Sequence, residues 1–176
     1  MEGYEGQVQQ KEKSVKKQIN KKKRKMEKKI GKPSSVKLVY ENEIPVSQRT
    51  EIKEVKDAYR ILLQCYDMQT IEHHMEIKAL LVNRAMQVLG VVQISSGGLS
   101  TSPADIKCIL QAALLSNAQS VILSRNAPSG SVEASREDKF FVEHCKKACK
   151  LIDILFMDFI IVTKEQYHSF LDENQL

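Results

Sequence analysis

The chain reads as an α/β fold, a mixed β-sheet flanked by helices and preceded by a basic tail that is disordered or helical. Three observations carry this. Two apolar stretches, 77–82 and 87–94, flank Asn83-Arg84-Ala85-Met86, the pattern of a hairpin. A uniform apolar run, Val121-Ile122-Leu123, passes through a polar loop into a capped helical segment opening at Ser135, the pattern of a crossover. Helical periodicity marks residues 53–65 and the segment after Ser102. Hairpin and crossover connections together make a mixed sheet.

In chain order, residues 1–32 are low in complexity. Val15, Ile19, Met26 and Ile30 are too sparse to bury a core, although they share one helical face. Gly31 and Pro33 would end such a helix. The folded domain is placed at 33–176. Val36, Leu38 and Tyr40 alternate enough for a first strand, and Pro45 interrupts the segment after it. In residues 53–65, Val55, Ala58, Tyr59, Leu62 and Leu63 share a face. Residues 95–102 form a Gly- and Ser-rich loop.

Ser102 is the expected N-cap of the next helix, with Pro103 at its first position and Asp105 near the positive end of the dipole. Ile106, Ile109, Leu110, Ala113 and Leu114 make its buried stripe, and Asn117 ends it. Residues 121–123 read as a central strand. Ser135 caps a helix whose buried positions include Phe141, Val142, Cys145, Ala148 and Cys149. Residues 152–162 give one long strand or two short ones, and 167–171 close the chain.

The chain of 176 residues, 42% hydrophobic, is long enough for one core with an attached segment. It has no apolar run long enough for a membrane span and no apolar stretch near its start to act as a secretory signal. The expected location is the cytoplasm, with no membrane partner, and the four cysteines read as reduced thiols. Charge is segregated. Residues 11–32 carry twelve Lys or Arg and two Glu, a net of +10. Residues 33–176 carry fifteen basic and eighteen acidic side chains, a net of −3. Lysine clusters bind phosphate by counterion release without reading sequence, so Lys21, Lys22, Lys23, Arg24, Lys25, Lys28 and Lys29 are candidates for nucleic-acid binding. The bland reading of the same segment is a solvated extension.

The matching stretches KDAYRILLQ (56–64), LLVNRAMQVLG (80–90), ISSGGLS (94–100), PADIKCILQAALLSNAQSVIL (103–123), NAPSG (126–130) and SREDK (135–139) give the domain its family likeness. With LIDILFMDFIIV (151–162) and the closing YHSFLDENQL, their order and spacing resemble the RadC-like branch of the JAB/MPN domain family. The resemblance implies a cytidine-deaminase-like α/β architecture. It also implies a zinc site of the JAMM type: an upstream Glu as general base, two His in a His-Asn-His-Pro-Ser-Gly pattern, and a Ser and an Asp in Ser-x-x-Asp. The two His and the Asp would leave one zinc position for an activated water, whose proton the Glu would shuttle, and the Ser would help stabilise the oxyanion. The family name also brings an association with DNA repair.

Residue by residue, most of that set is replaced. The two His positions hold Arg125 and Ala127, and the general-base position, aligned without a gap, holds Met75. Ser135 and Asp138 match. Where the family has Asp-His near the end, this chain has Asp158 and Phe159. Alanine binds no metal, arginine stays charged and repels a divalent cation, and a thioether takes no proton from water. Arg125 either pairs with Asp138 across the old pocket or points to solvent.

Glu76 follows the base position by one residue, so in a strand it faces away unless a bulge intervenes. His73 and His74 are adjacent and read as surface residues, as do the isolated His144 and His168. Cys145 and Cys149 share a helical face, where two core thiols are the plainer reading than a shared metal.

The expectation is a RadC-like JAB domain protein that is not an enzyme and needs no cofactor. It would act by binding, with residues 11–32 reaching nucleic acid and a protein partner also open. A second reading is a zinc-dependent hydrolase of the JAMM type using displaced ligands, the zinc present only if the site is rebuilt. A third is a structural paralogue whose tail serves solubility.

Overall fold

A computed structural model of the chain describes residues 13, 16–22, 39–42, 44–98 and 104–176. The chain divides into two compact units, Met1–Lys37 and Leu38–Leu176. In the first, the described residues are helical and exposed. They include Ile19, Lys21 and Lys22, whereas Val15, Lys23, Arg24, Lys25, Met26, Lys28, Lys29 and Ile30 lie outside the described residues.

The second unit is built on a five-stranded sheet in the order β2-β1-β3-β4-β5. The strands are β1 (Glu76–Val82), β2 (Val88–Ser96), β3 (Ser120–Asn126), β4 (Leu155–Val162) and β5 (Tyr167–Ser169). β1 runs antiparallel to β2 and β3, β3 and β4 are parallel, and β5 returns antiparallel to β4. The parallel pair is joined through helix α3 (Arg136–Lys150), the crossover that such a pair needs. The sheet is mixed, as the sequence predicts.

Helix α1 (Val55–Cys65) covers one face of the sheet; α2 (Ile106–Leu115) and α3 cover the other. The period-two alternation of the strands sorts their side chains between the two layers. Leu80, Val82, Ile122 and Ile160 pack with Ala58 and Leu62 of α1. Ala79, Leu81, Val121, Leu123 and Phe159 pack with Ile109 and Ala113 of α2 and with Val142, Cys145 and Cys149 of α3. Burial on both faces explains the unbroken apolar runs 79–82 in β1 and 121–123 in β3.

Several boundaries differ from the sequence reading. Val39 and Tyr40 are not in a strand, and residues 36–38 lie outside the described residues. Tyr40 is tied to β2 by its side chain, its O–H donating to the Leu89 carbonyl at 2.7 Å. The segment beside the start of β2 is instead the one just before α1: Glu51 bridges Gln87, and the Val88 N–H donates to the Thr50 carbonyl at 2.9 Å.

Helix α2 is capped by Asp105, whose carboxylate accepts from the Lys107 N–H at 2.9 Å. Ser102 and Pro103, the expected start, lie outside the described residues. Leu114, expected in the buried stripe, is 57% exposed, because the stripe follows Ile109 and Ala113 and leaves Leu114 at its margin. In residues 152–162 a single strand forms, preceded by Asp153 at φ 55°, a left-handed turn position that Asp tolerates.

Candidate functional site

A cavity of about 490 Å³ opens where β3 ends and α3 begins. Its walls are drawn from several elements. β1 contributes Ile77, and Met75 just before it; β3 contributes Arg125; the loop from Ala127 contributes Pro128, Ser129 and Ser131; α3 contributes Asp138 and Phe141. The register of β1 on β3 sets Ile77 beside Arg125, so alternation brings Met75 to the same face. The loop turns on a bond from the Gly130 N–H to the Ala127 carbonyl at 2.9 Å, with Pro128 at the position whose fixed φ suits such a turn.

Helix α3 starts with a capping box. The Ser135 hydroxyl accepts from the Asp138 N–H at 3.0 Å, and the Asp138 carboxylate accepts from the Ser135 N–H at 2.8 Å and its hydroxyl at 2.7 Å. The same carboxylate receives Arg125. Nε donates to Oδ1 at 2.6 Å and Nη2 to Oδ2 at 2.7 Å, while Nη1 reaches the Asn126 carbonyl at 3.3 Å. Both side chains are about nine-tenths buried. Burial pushes the Asp138 carboxyl up, but the bonds from Arg125 and Ser135 outweigh it and hold the group below the usual carboxylate range. Of the two sequence alternatives for Arg125, the pair across the pocket is the one that forms.

Asn126, fully buried, locks the far wall. Its amide N–H groups donate to the carbonyls of Ile71 at 2.6 Å and His74 at 2.7 Å, and its oxygen accepts from the Glu76 N–H at 2.6 Å. One side chain thus fixes the start of β1 against the end of β3, and so fixes which face Met75 presents.

Glu76 lies on the opposite face. Its carboxylate meets Lys78 Nζ at 2.8 Å and His74 Nε2 at 3.1 Å. Burial pushes this carboxyl up, and Lys78 and then His74 outweigh it, holding it below its ordinary range. Lys78 Nζ also donates to Gln93 at 3.0 Å and stands 4.8 Å from the centre of the Tyr66 ring, whose O–H pairs with the Ser124 hydroxyl at 2.9 Å. A buried Lys is tolerated where its charge is paired and hydrogen-bonded. The sequence reading missed this network; a single Lys inside the otherwise apolar run of β1 was its available signal.

Phe159 lines the cavity floor from β4, edge-on to Phe141 and Phe170. Its neighbour Asp158 faces the other way, accepting from the Phe159 N–H at 2.7 Å, the Ser169 hydroxyl at 2.6 Å and the Leu171 N–H at 2.9 Å. Burial pushes its carboxyl above the usual range despite those bonds. Cys145 and Cys149 are buried in the α3 layer, and burial pushes the Cys145 thiol up to about 12, so it stays protonated. His73 is exposed, His144 stacks edge-on against Phe140, and His168 against Phe170.

The donor set does not fit a zinc ion. Ala127 offers no ligand atom, both oxygens of Asp138 are engaged by a guanidinium, and Met75 brings only a thioether to the lining. Among the described residues no three His, Cys, Asp or Glu side chains converge as a metal-ligand set.

Comparison with known proteins agrees with this architecture. A family model described as "RadC-like JAB domain" matches residues 52–176. A UPF0758 protein of Flavobacterium johnsoniae is 30% identical over 151 residues, covering 82% of this chain and 65% of that protein. A UPF0758 protein of Streptococcus sanguinis is 38% identical over 98 residues, covering 56% and 43%. One of Neisseria gonorrhoeae is 37% identical over 92 residues, covering 52% and 41%. The chain therefore spans less than two thirds of the length of these relatives. A family match across the whole sheet and helices α1, α2 and α3, on a mixed five-stranded α/β fold, makes this chain a member of the RadC-like JAB domain family.

Proposed function

We propose that this protein is a non-catalytic RadC-like JAB domain that works by binding, with residues 11–32 supplying affinity for nucleic acid. The observation that carries the reading is the bidentate Arg125–Asp138 pair. A fixed organic cation in the cavity lining takes up the carboxylate that would otherwise bind a metal. The guanidinium is permanently charged and turns two N–H groups onto two oxygens, so it satisfies Asp138 where a divalent ion would need further ligands.

The alternative, a JAMM-type hydrolase with displaced ligands, needs Glu76 in the cavity. Its carboxylate is turned to Lys78 and His74 on the far face, which weighs against that reading. Among the described residues no helix is long and apolar enough to cross a membrane.

Two measurements test the proposal. Elemental analysis of the purified protein should find no stoichiometric zinc, and one zinc per chain would overturn it. Binding to a generic DNA duplex should weaken steeply with added salt, and should fall at least tenfold when Lys21, Lys22, Lys23, Arg24, Lys25, Lys28 and Lys29 are all changed to Gln. Equal affinity of the two proteins would remove the nucleic-acid role.

A further inference from the structure

The cavity beside Arg125 retains a shape and a charge that the ion pair does not use. Its floor is apolar: Met75 and Phe141 keep accessible surface there, backed by the buried Ile77, Ala127 and Phe159. Two further carboxylates line it, Glu133 from the loop and Glu137 from the first turn of α3, and both residues are exposed. Neither has an ion-pair partner among the described residues. Arg125, the cation of the lining, is neutralised by Asp138. The nearby cations Arg136 and Lys139 do not line the cavity.

The charge sum is therefore one-sided. Arg125 and Asp138 cancel, the positive end of α3 contributes about half a charge, and Glu133 with Glu137 contribute two negative charges. More than one unit of negative charge remains at the mouth of an apolar cleft. A ligand complementary to that arrangement has an aliphatic stem to lie on the floor and a cationic head to reach the rim. Lysine and arginine side chains are built this way, and an anionic ligand is disfavoured.

We infer that this cleft is a docking site for a basic segment of a protein partner, which inserts a lysine or arginine side chain between Met75 and Phe141 on the floor and the Glu133–Glu137 rim. The inference rests on the binding role proposed above and names the partner class for the vacated pocket. The interaction is non-covalent, and its salt dependence comes from the two rim carboxylates.

The test uses the full chain and a short fluorescein-labelled peptide of alternating leucine and lysine, with a glutamine-for-lysine peptide as the neutral probe. Fluorescence anisotropy at moderate salt should give at least tenfold tighter binding for the lysine peptide. E133Q/E137Q should erase that preference, and S129W, which fills the mouth from an exposed loop position, should weaken both probes. All three positions are exposed, so the variants should melt like the parent protein. Equal binding of the two peptides would overturn the inference, as would a preference that survives E133Q/E137Q or affinities untouched by S129W. Zinc measured on the same preparation separates the two levels. A zinc-free protein without the preference loses only this inference, whereas stoichiometric zinc removes the vacated-pocket reading beneath it.

Discussion

The guanidinium of Arg125 and the carboxylate of Asp138 meet side-on through two hydrogen bonds of 2.6 and 2.7 Å, in a pocket where both side chains are nearly buried. A pair held in this way is hard to break from one side. Asp138→Asn should cost about 3 kcal/mol, because it leaves Arg125 charged and partly orphaned away from water. Arg125→Met should cost less, since Ser135 still serves the carboxylate. Urea unfolding of both single variants and the double variant gives the coupling energy. A value near zero would show that the pair does not hold the pocket.

The two buried aspartates should titrate in opposite directions. Asp138 lies below its ordinary value, so the stability it contributes is present above the unfolded-state pKa and is lost as pH falls through the folded one. Asp158 lies above its ordinary value, so its contribution is full below the unfolded pKa and is lost as pH rises through the folded one. Carboxyl carbon chemical shifts followed by NMR should give a midpoint for Asp138 below that of an exposed Asp, and for Asp158 above it. The reverse order would refute the electrostatic account of both sites.

Asn126 makes three hydrogen bonds from a fully buried position. Asn126→Ala should lower stability by about 2–4 kcal/mol, counting about one for each lost bond and the cost of unpaired carbonyls. Asn126→Asp should be worse, since it aims a carboxylate at the carbonyls of Ile71 and His74. Thermal melts rank the pair, and an aspartate variant as stable as the parent would contradict the bonding pattern.

Ser135 serves both the helix and the pair. Ser135→Ala should cost about 1 kcal/mol through the lost N-cap and should raise the Asp138 midpoint. Ser135→Thr should restore most of both. Chemical denaturation and the same NMR titration read the two effects separately.

The loop skeleton should accept a metal once ligands are supplied. R125H/A127H should take up zinc with Asp138 as third ligand, and M75E would add the group at the base position. Elemental analysis after dialysis against zinc should find one ion per chain in the double variant and none in the parent. An empty double variant would mean that the backbone around 125–127 has drifted from ligand geometry.

Much of this protein was legible from local pattern. Period-two and helical spacing placed the β1–β2 hairpin, α1, the central β3 and the Ser135 cap, because those elements are set by which face each side chain must bury. The family resemblance picked out Arg125, Ala127 and Met75, and the structure brings all three to the lining of one cavity. Only the tertiary structure decided where charges meet. Arg125 and Asp138 are 13 residues apart, on a strand and a helix, and their contact depends on how the Ala127–Ser135 loop closes. Glu76 and Met75 are neighbours in sequence, yet the β1–β3 register and the Asn126 lock put one beside Lys78 and the other in the cavity. Register, loop closure and cross-strand pairing are long-range constraints. No single stretch of the chain contains them, and they set the Arg125–Asp138 pair in the wall of the cavity.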